Sequence, residues 1–315
     1  DGEVQIAGCK TTFRPGKIGD LNTQVFSGPR TLDVTEIGLS PFMLAYANDG
    51  FRAYSLIPIF PLRLFRHKSV FIHADRGIEK PQDLKGRRVG TPGYSSTSLT
   101  WIRGFMKHEY GVSPEDIEWV VSAADSSAED AGQVSEQEQM VPEGISISVG
   151  PTGKDESDLL LDGDVDALFH AAEPKAFVDG HPKVKRLFPD PRAAERDYFR
   201  RTGIFPIMHA VAMRNDLIDA HPWLPKVVFD AYSQAKQQRY EAMRQEWLLG
   251  TLPWYGQELD ETRALMGENF WPYGLESNAT ALNALFQYSY EQGLAKERLK
   301  VNDLFHPTTL QLTEL

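Results

Sequence analysis

Cysteine is nearly absent from this 315-residue chain. Cys9 stands alone, so no internal disulfide and no multi-cysteine metal site can be assembled. No stretch approaches the ~18–20 uninterrupted apolar residues that a membrane-spanning helix needs. The run 70–74 is far too short and stops at Asp75, so a soluble protein with no membrane partner is expected. Basic residues are in deficit, with 33 Lys and Arg against 44 Asp and Glu for a formal charge of −11. That balance argues against a nucleic-acid partner, because phosphate neutralisation needs a basic surface. It leaves room for a locally basic pocket. HExxH, a Gly-rich phosphate loop, a GxSxG elbow and paired His/Cys spacing are all missing, so neither a cofactor nor a structural metal is expected. The start at Asp1 shows no basic n-region or apolar h-region, which fits either a removed leader or a boundary.

What is present is an ordinary globular composition, 41% apolar and 24% charged. The length suits roughly two domains. Short apolar runs alternate with helical segments, the pattern of parallel sheets with crossover helices. Strands are predicted at 32–38, 69–74, 88–90, 165–170 and 207–213, and helices at 42–48 and 96–110. Beyond His221 the chain reads as mostly helical, over 222–247, 258–267 and 279–293. The stretch 122–157, rich in Ser, Glu, Asp and Gly, reads as a loop-rich surface excursion. Crossings at 73–80 and 203–206 divide the chain into lobe one, 1–76 plus 205–315, and an inserted lobe two, 77–204. Two neighbouring crossings make a hinge and a central cleft, so the fold class is α/β in two lobes.

Two strand-to-helix junctions carry the first chemical signal. In one, Gly90-Thr91-Pro92-Gly93-Tyr94-Ser95-Ser96-Thr97-Ser98 leads into a helix whose start can be capped by Ser or Thr. In the other, Gly38-Leu39-Ser40-Pro41 offers Ser40 as the cap and Pro41 as the first helical residue. A helix N-terminus attracts anions through its unpaired amides and the positive end of its dipole. Either junction alone reads equally as an ordinary cap, but two facing each other across a cleft would grip a ligand with two anionic groups. The segment 63–73 adds Arg63 and Arg66, which can hold a carboxylate bidentately. If extended, it sets Phe65, His67, Ser69, Phe71 and His73 on one face, with Arg66 and Lys68 on the other. A solvated basic edge is the plainer alternative. His209 follows the return crossing and His170 ends a lobe-two strand, so both are placed near the cleft. Each can be a proton donor or a hydrogen-bonded core residue.

Four stretches resemble the 4,5-dihydroxyphthalate decarboxylase family. They are FRHKSVFIHADRGIEKPQDLKGRRVGTPGY (65–94), RLFPDPRAAERDYFRRTGIFPIMH (186–209), ETRALMGENFWPYGL (261–275), and EQGL followed by DLFHPTTL (291–310). RRTGIFPIMH and GENFWPYGL are the most specific pieces, and the resemblance spans most of the chain outside 120–157. It implies a type 2 periplasmic-binding-protein fold, related to thiamine-precursor and ABC-transporter binding proteins and turned to enzyme use. It also implies a cytoplasmic homo-oligomer that needs no organic cofactor and removes CO₂ from a dihydroxylated phthalate to give protocatechuate. The loop at 95–98 is richer in serine than in the family, which points to a different ring substitution. The start falls where the family has passed its first strand and helix, so about one βα unit lies outside the chain or has diverged.

Joined to the motifs, the resemblance places His209 or His67 as the general acid. Arg66, Ser40, Ser95, Ser96, Thr97, Arg63 and His170 become carboxylate and substrate holders, and Tyr94 orients the ring. A non-catalytic receptor delivering an aromatic or other small carboxylate to an ABC- or TRAP-type transporter is the rival reading, and an enzyme making a thiamine pyrimidine precursor ranks below it. A metal site of His67, His73 and His170 with a carboxylate stays open.

Overall fold

The structure is a computed structural model and describes residues 3–126, 128–132 and 134–314. Its first part runs through α1 (Ile18–Phe26), β1 (Val34–Gly38), α2 (Leu39–Asp49) and β2 (Tyr54–Ile57). Next come β3 (Val70–His73), β4 (Arg88–Thr91), α3 (Thr97–Tyr110), β5 (Glu118–Val121), β6 (Ile147–Val149), α4 (Glu156–Leu161), β7 (Ala167–Phe169), β8 (Val184–Arg186) and α5 (Pro191–Thr202). The chain returns through β9 (His209–Arg214) and ends in α6 (Leu224–Leu249), α7 (Tyr255–Met266) and α8 (Ala279–Glu291).

Two sheets organise these elements. The first has three strands in the order β1-β9-β2, and β9 pairs antiparallel with both neighbours. The second has six strands in the order β6-β5-β4-β7-β3-β8. In it β6, β5, β4 and β7 run parallel, while β3 opposes β7 and β8. The expected parallel pattern thus holds for four strands of the second sheet, while the first sheet is antiparallel throughout. The return strand enters between two crossover-linked strands, and the second sheet takes an antiparallel strand from the outgoing chain. That outgoing strand, β3, was assigned by sequence to the first lobe but hydrogen-bonds inside the second sheet. The chain changes sheets before residue 67, not at 77. Beside it, Arg63 bridges Ile207, and Leu62 O accepts from the Met208 and His209 amides at 2.9 and 3.2 Å. The outgoing and returning connections thus run side by side.

Local chemistry explains where α3 starts and stops. Ser96 is its N-cap and accepts from Leu99 N, and Gly111 ends it at φ 68°, a left-handed turn that suits glycine. The face carrying Leu99, Ile102, Phe105 and Met106 is buried. On the other side Gly104 lets α3 approach α8 so closely that an added Cβ would stand 2.0 Å from Tyr288 Cδ2. Gly104→Ala is expected to force these helices apart and cost ~1–3 kcal/mol or more. Urea unfolding would show it as a lower midpoint, and an unchanged midpoint would mean Tyr288 swings aside freely.

Three local readings change. Residues His67–Ser69 form a 3-10 turn, so the period of two expected over 63–73 is broken. Helix α2 begins at Leu39 with Gly38 as its N-cap, placing Ser40 and Pro41 inside the first turn. Within the excursion at 122–157, Glu138 O accepts from the Tyr94 and Ser95 amides, and β6 extends the second sheet. It packs back onto the anion loop.

Candidate functional site

The two strand-to-helix junctions do meet, and they satisfy one another. Gly38 N donates to Asn22 Oδ1 at 3.0 Å, Leu39 N to Met208 O at 3.0 Å and Ser40 N to Thr97 Oγ1 at 2.9 Å. The first amides of α2 thus all have protein partners. Thr100 Oγ1 donates to Ser96 O (2.9 Å), so the 3.2 Å contact between Ser40 and Thr100 is donated by Ser40 Oγ. Two direct hydrogen bonds hold this seam, each worth ~1 kcal/mol net. Ser95 is drawn elsewhere, its hydroxyl bonding Met140 O. Ser98 Oγ reaches Met208 Sδ at 3.6 Å.

Tyr94 faces inward. Its ring stands edge-on to Trp119 and 3.8 Å from the Arg103 guanidinium carbon, and its hydroxyl is buried without a hydrogen-bond partner. Burial pushes that hydroxyl up, with Arg103 opposing. Arg103 is itself buried and donates to Tyr94 O (2.6 Å) and Gln292 Oε1 (2.9 Å), so it anchors the loop from beneath. Tyr94 belongs to that anchor.

Arg63 and Arg66 are separated by the turn of the chain between them. Arg63 donates to Asn278 Oδ1 and lies between the Phe60 and Phe205 rings. Burial brings it down to about 9. It lines a cavity of about 320 Å³ with Phe65, Phe205, Met266 and Trp271. Arg66 points the other way, donating from Nη1 to Ala171 O (2.9 Å), with Nε unpartnered among the described residues. Burial lowers it to about 10 and Glu195 opposes that.

His67 occupies an aromatic box. Its ring stacks on Phe105 (4.4 Å between centroids) and meets Phe188 and Tyr198, and neither nitrogen finds a hydrogen bond among the described residues. Burial first, and Arg201 second, lower it to about 4. It is therefore a neutral core residue near pH 7 and a poor proton donor. Between pH 6.5 and about 4 the unfolded chain takes up a proton that the folded protein refuses. Stability present above pH 6.5 then falls by ~1.4 kcal/mol per unit, ~3 kcal/mol in all. His67→Phe should lose ~2 kcal/mol less than the parent between pH 7 and 5 in urea titrations. Identical pH slopes for the two proteins would contradict this account.

His170 follows β7 at the carboxyl edge of the second sheet, beside Ala171 and hence beside Arg66. Its Nε2 is turned away, 3.8 Å from Glu156 Oε2 and 3.9 Å from Asp125 Oδ1. His67 and His73 do not join it: His73 Nδ1 accepts from Asp75 N at 3.2 Å. The sequence reading passed over both carboxylates, because they lie in the stretch taken as loop. Strand periodicity gives no signal there.

His209 opens β9 opposite Gly38, and Glu36 sits diagonally across on the same face. Nδ1 lies 2.5 Å from Glu36 Oε1. An ionised carboxylate only accepts, so Nδ1 carries the proton and Nε2 is free for proton transfer. The imidazole is 15% exposed and Glu36 40%, leaving a path to solvent. Tyr232 of α6 is near enough for the Glu36 charge to add to burial in raising its hydroxyl. Glu36 escaped the sequence reading, although the alternation of Thr35, Glu36 and Ile37 marks it as facing opposite to Ile37. The structure thus brings Ser40 together with Thr97, and Arg66 close to His170. It leaves His67, Arg63 and Tyr94 in separate packed surroundings.

These features find parallels in other proteins. Residues 63–135 match the family model described as NMT1/THI5 like. Among solved structures, the periplasmic sulfonate-binding protein SsuA of Methylobacillus flagellatus KT superposes with a TM-score of 0.55 at 15% identity, covering 92% of this chain and 76% of that one. The alkanesulfonate-binding SsuA of Xanthomonas axonopodis pv. citri gives 0.51 at 14%, covering 92% and 85%. These likenesses establish the periplasmic-binding-protein fold. A 4,5-dihydroxyphthalate decarboxylase of Pseudomonas putida is 34% identical over 200 residues, 64% of this chain and 75% of the relative. One from Comamonas testosteroni is 37% identical over 314 residues, 99% of this chain and 93% of the relative. With likeness sustained over nearly the whole of both sequences, the chain belongs to the 4,5-dihydroxyphthalate decarboxylase family.

Proposed function

We propose that this protein removes CO₂ from 4,5-dihydroxyphthalate or a close analogue, giving protocatechuate or its counterpart. The observation that carries the reading is the 37% identity to a decarboxylase of that name along 99% of the chain. The paired His209–Glu36 side chains supply a matching chemical element.

The ring bears a hydroxyl para to each carboxylate. That hydroxyl pushes electron density onto the carbon bearing the departing group. A proton arrives at this carbon, the C–C bond breaks, and its electron pair restores the aromatic ring as CO₂ leaves. The protein has to deliver one proton, hold the spectator carboxylate and keep water from the reacting carbon. In our reading His209, protonated on both nitrogens, delivers the proton from Nε2 and keeps the Nδ1 proton that Glu36 holds. Arg66 holds the spectator carboxylate, and Ser40, Ser96 and Thr97 take polar contacts when the seam opens. The three-stranded and six-stranded sheets act as two lobes, with the side-by-side connections at 62–66 and 203–209 as the hinge. Closure of the seam would exclude water. The family resemblance further suggests a cytoplasmic homo-oligomer. No helix among the described residues is long and apolar enough to cross a membrane.

Incubation with 4,5-dihydroxyphthalate should release CO₂ and protocatechuate in equal amounts. Tight binding with no turnover of this acid or of its ring-substituted analogues would overturn the enzyme reading and favour a carboxylate receptor.

A further inference from the structure

The second sheet holds a cluster that the proposed reaction does not use. Glu156, at the start of α4, is fully buried, as is His170, while Asp125 is 16% exposed on its side chain. One ligating atom from each lies within 4.8 Å of the others. The cluster stands beyond the carboxyl ends of β5 and β7, the edge at which open α/β sheets bind ligands.

Its polar geometry is that of a site with its supports in place. Ala172 presents its carbonyl to His170 Nδ1 at 2.9 Å and its amide at 3.1 Å. The carbonyl contact asks for a proton on Nδ1 and the amide contact for its lone pair; in the tautomer a metal-bound imidazole adopts, the carbonyl holds the Nδ1 proton and Nε2 turns its lone pair toward the carboxylates. Nε2 is buried with no hydrogen-bond partner among the described residues, and it faces carboxylate oxygens at 3.8 and 3.9 Å. Glu156 is fixed from behind by Ser122 Oγ (2.7 Å) and Ser126 N (3.2 Å). Ligand atoms on one ion at ~2.1 Å stand roughly 3–3.5 Å apart. Binding would draw the imidazole–carboxylate distances of 3.8 and 3.9 Å in by roughly 0.3–0.9 Å, and the two carboxylates, now within 4.8 Å, would close accordingly. Two carboxylates facing one imidazole nitrogen favour a positive charge between them, which a proton or a dication can supply.

We infer that Asp125, Glu156 and His170 bind one divalent transition-metal ion of the zinc class. Imidazole with carboxylate oxygen suits zinc, manganese or iron better than magnesium or calcium. Three protein ligands leave a position for water or an anionic oxygen. The inference goes beyond the decarboxylase reading and does not depend on it.

The full chain, stripped with chelator, would be loaded with Zn²⁺, desalted and analysed for metal. Co²⁺ would then serve as the spectroscopic probe in a titration. The expected result is one zinc retained per chain and a saturable visible cobalt band. In Asp125→Asn and Glu156→Gln, affinity should fall by more than the ~10–100-fold that loss of a supporting residue costs. Asp125 is partly exposed, so its variant should fold, which circular dichroism would verify. A parent that retains no zinc overturns the inference. So does a folded Asp125→Asn that binds cobalt as tightly as the parent.

Discussion

His209→Ala is expected to bind 4,5-dihydroxyphthalate within a few-fold of the parent while kcat falls by ~10²–10⁴, the usual contribution of a positioned general acid. The split follows from geometry. His209 sits at the start of β9, 15% exposed, with one nitrogen committed to Glu36, so in the proposed mechanism its loss removes the proton carrier and little of the packing. Substrate contacts assigned to Arg66 and the seam would persist. Glu36→Gln tests the arrangement separately. An amide oxygen can still accept from Nδ1 and orient the ring but lacks the carboxylate's charge, so kcat should fall less than in His209→Ala. Isothermal titration for binding, with stopped CO₂ assays for turnover, would separate the effects. Near-parental turnover in His209→Ala would remove this residue from the mechanism.

Arg66→Ala should act on the other side of the split, raising KM by ~10–100-fold. That corresponds to the ~1.5–3 kcal/mol of a charge-assisted hydrogen bond to a carboxylate. Protein stability should change little by comparison. The guanidinium is buried, its burial already lowers it to about 10, and its firm bond goes to the Ala171 carbonyl. Removing a buried charge that lacks a close partner relieves a desolvation cost that offsets the lost packing. Arg66→Lys should restore only part of the affinity, because an ammonium cannot form the planar two-point contact. Unchanged KM in Arg66→Ala, with turnover intact, would place the spectator carboxylate elsewhere. The Arg63 cavity, walled by Phe65, Phe205 and Trp271, would be examined next.

Much of this was legible in the chain itself. The strands at 34–38, 70–73 and 88–91 and helix 97–110 follow from apolar runs, glycine punctuation and a serine cap, all encoded within a few neighbouring residues. The family showed in GENFWPYGL and RRTGIFPIMH, and the full-length likeness agrees. Other elements were not legible. β2 and β5, with sequences YSLI and EWVV, were passed over because four residues give too little period to distinguish a strand from a buried turn.

Sequence by itself thus determined the α/β class, the helical ending, the single-cysteine chemistry and the acidic balance. These depend on residue type and short-range pattern. The tertiary structure alone decided which polar groups were already spoken for. Ser40 resembles a free helix cap until Thr97, 57 positions away, closes on its amide. His67 resembles a catalytic imidazole until Phe105, Phe188 and Tyr198 surround it and burial lowers it to about 4. Conversely, Glu36 and His209, 173 positions apart, become a pair because β1 and β9 align antiparallel. Hydrogen-bond satisfaction and desolvation depend on what long-range packing brings within a few ångströms, and no local pattern carries that information.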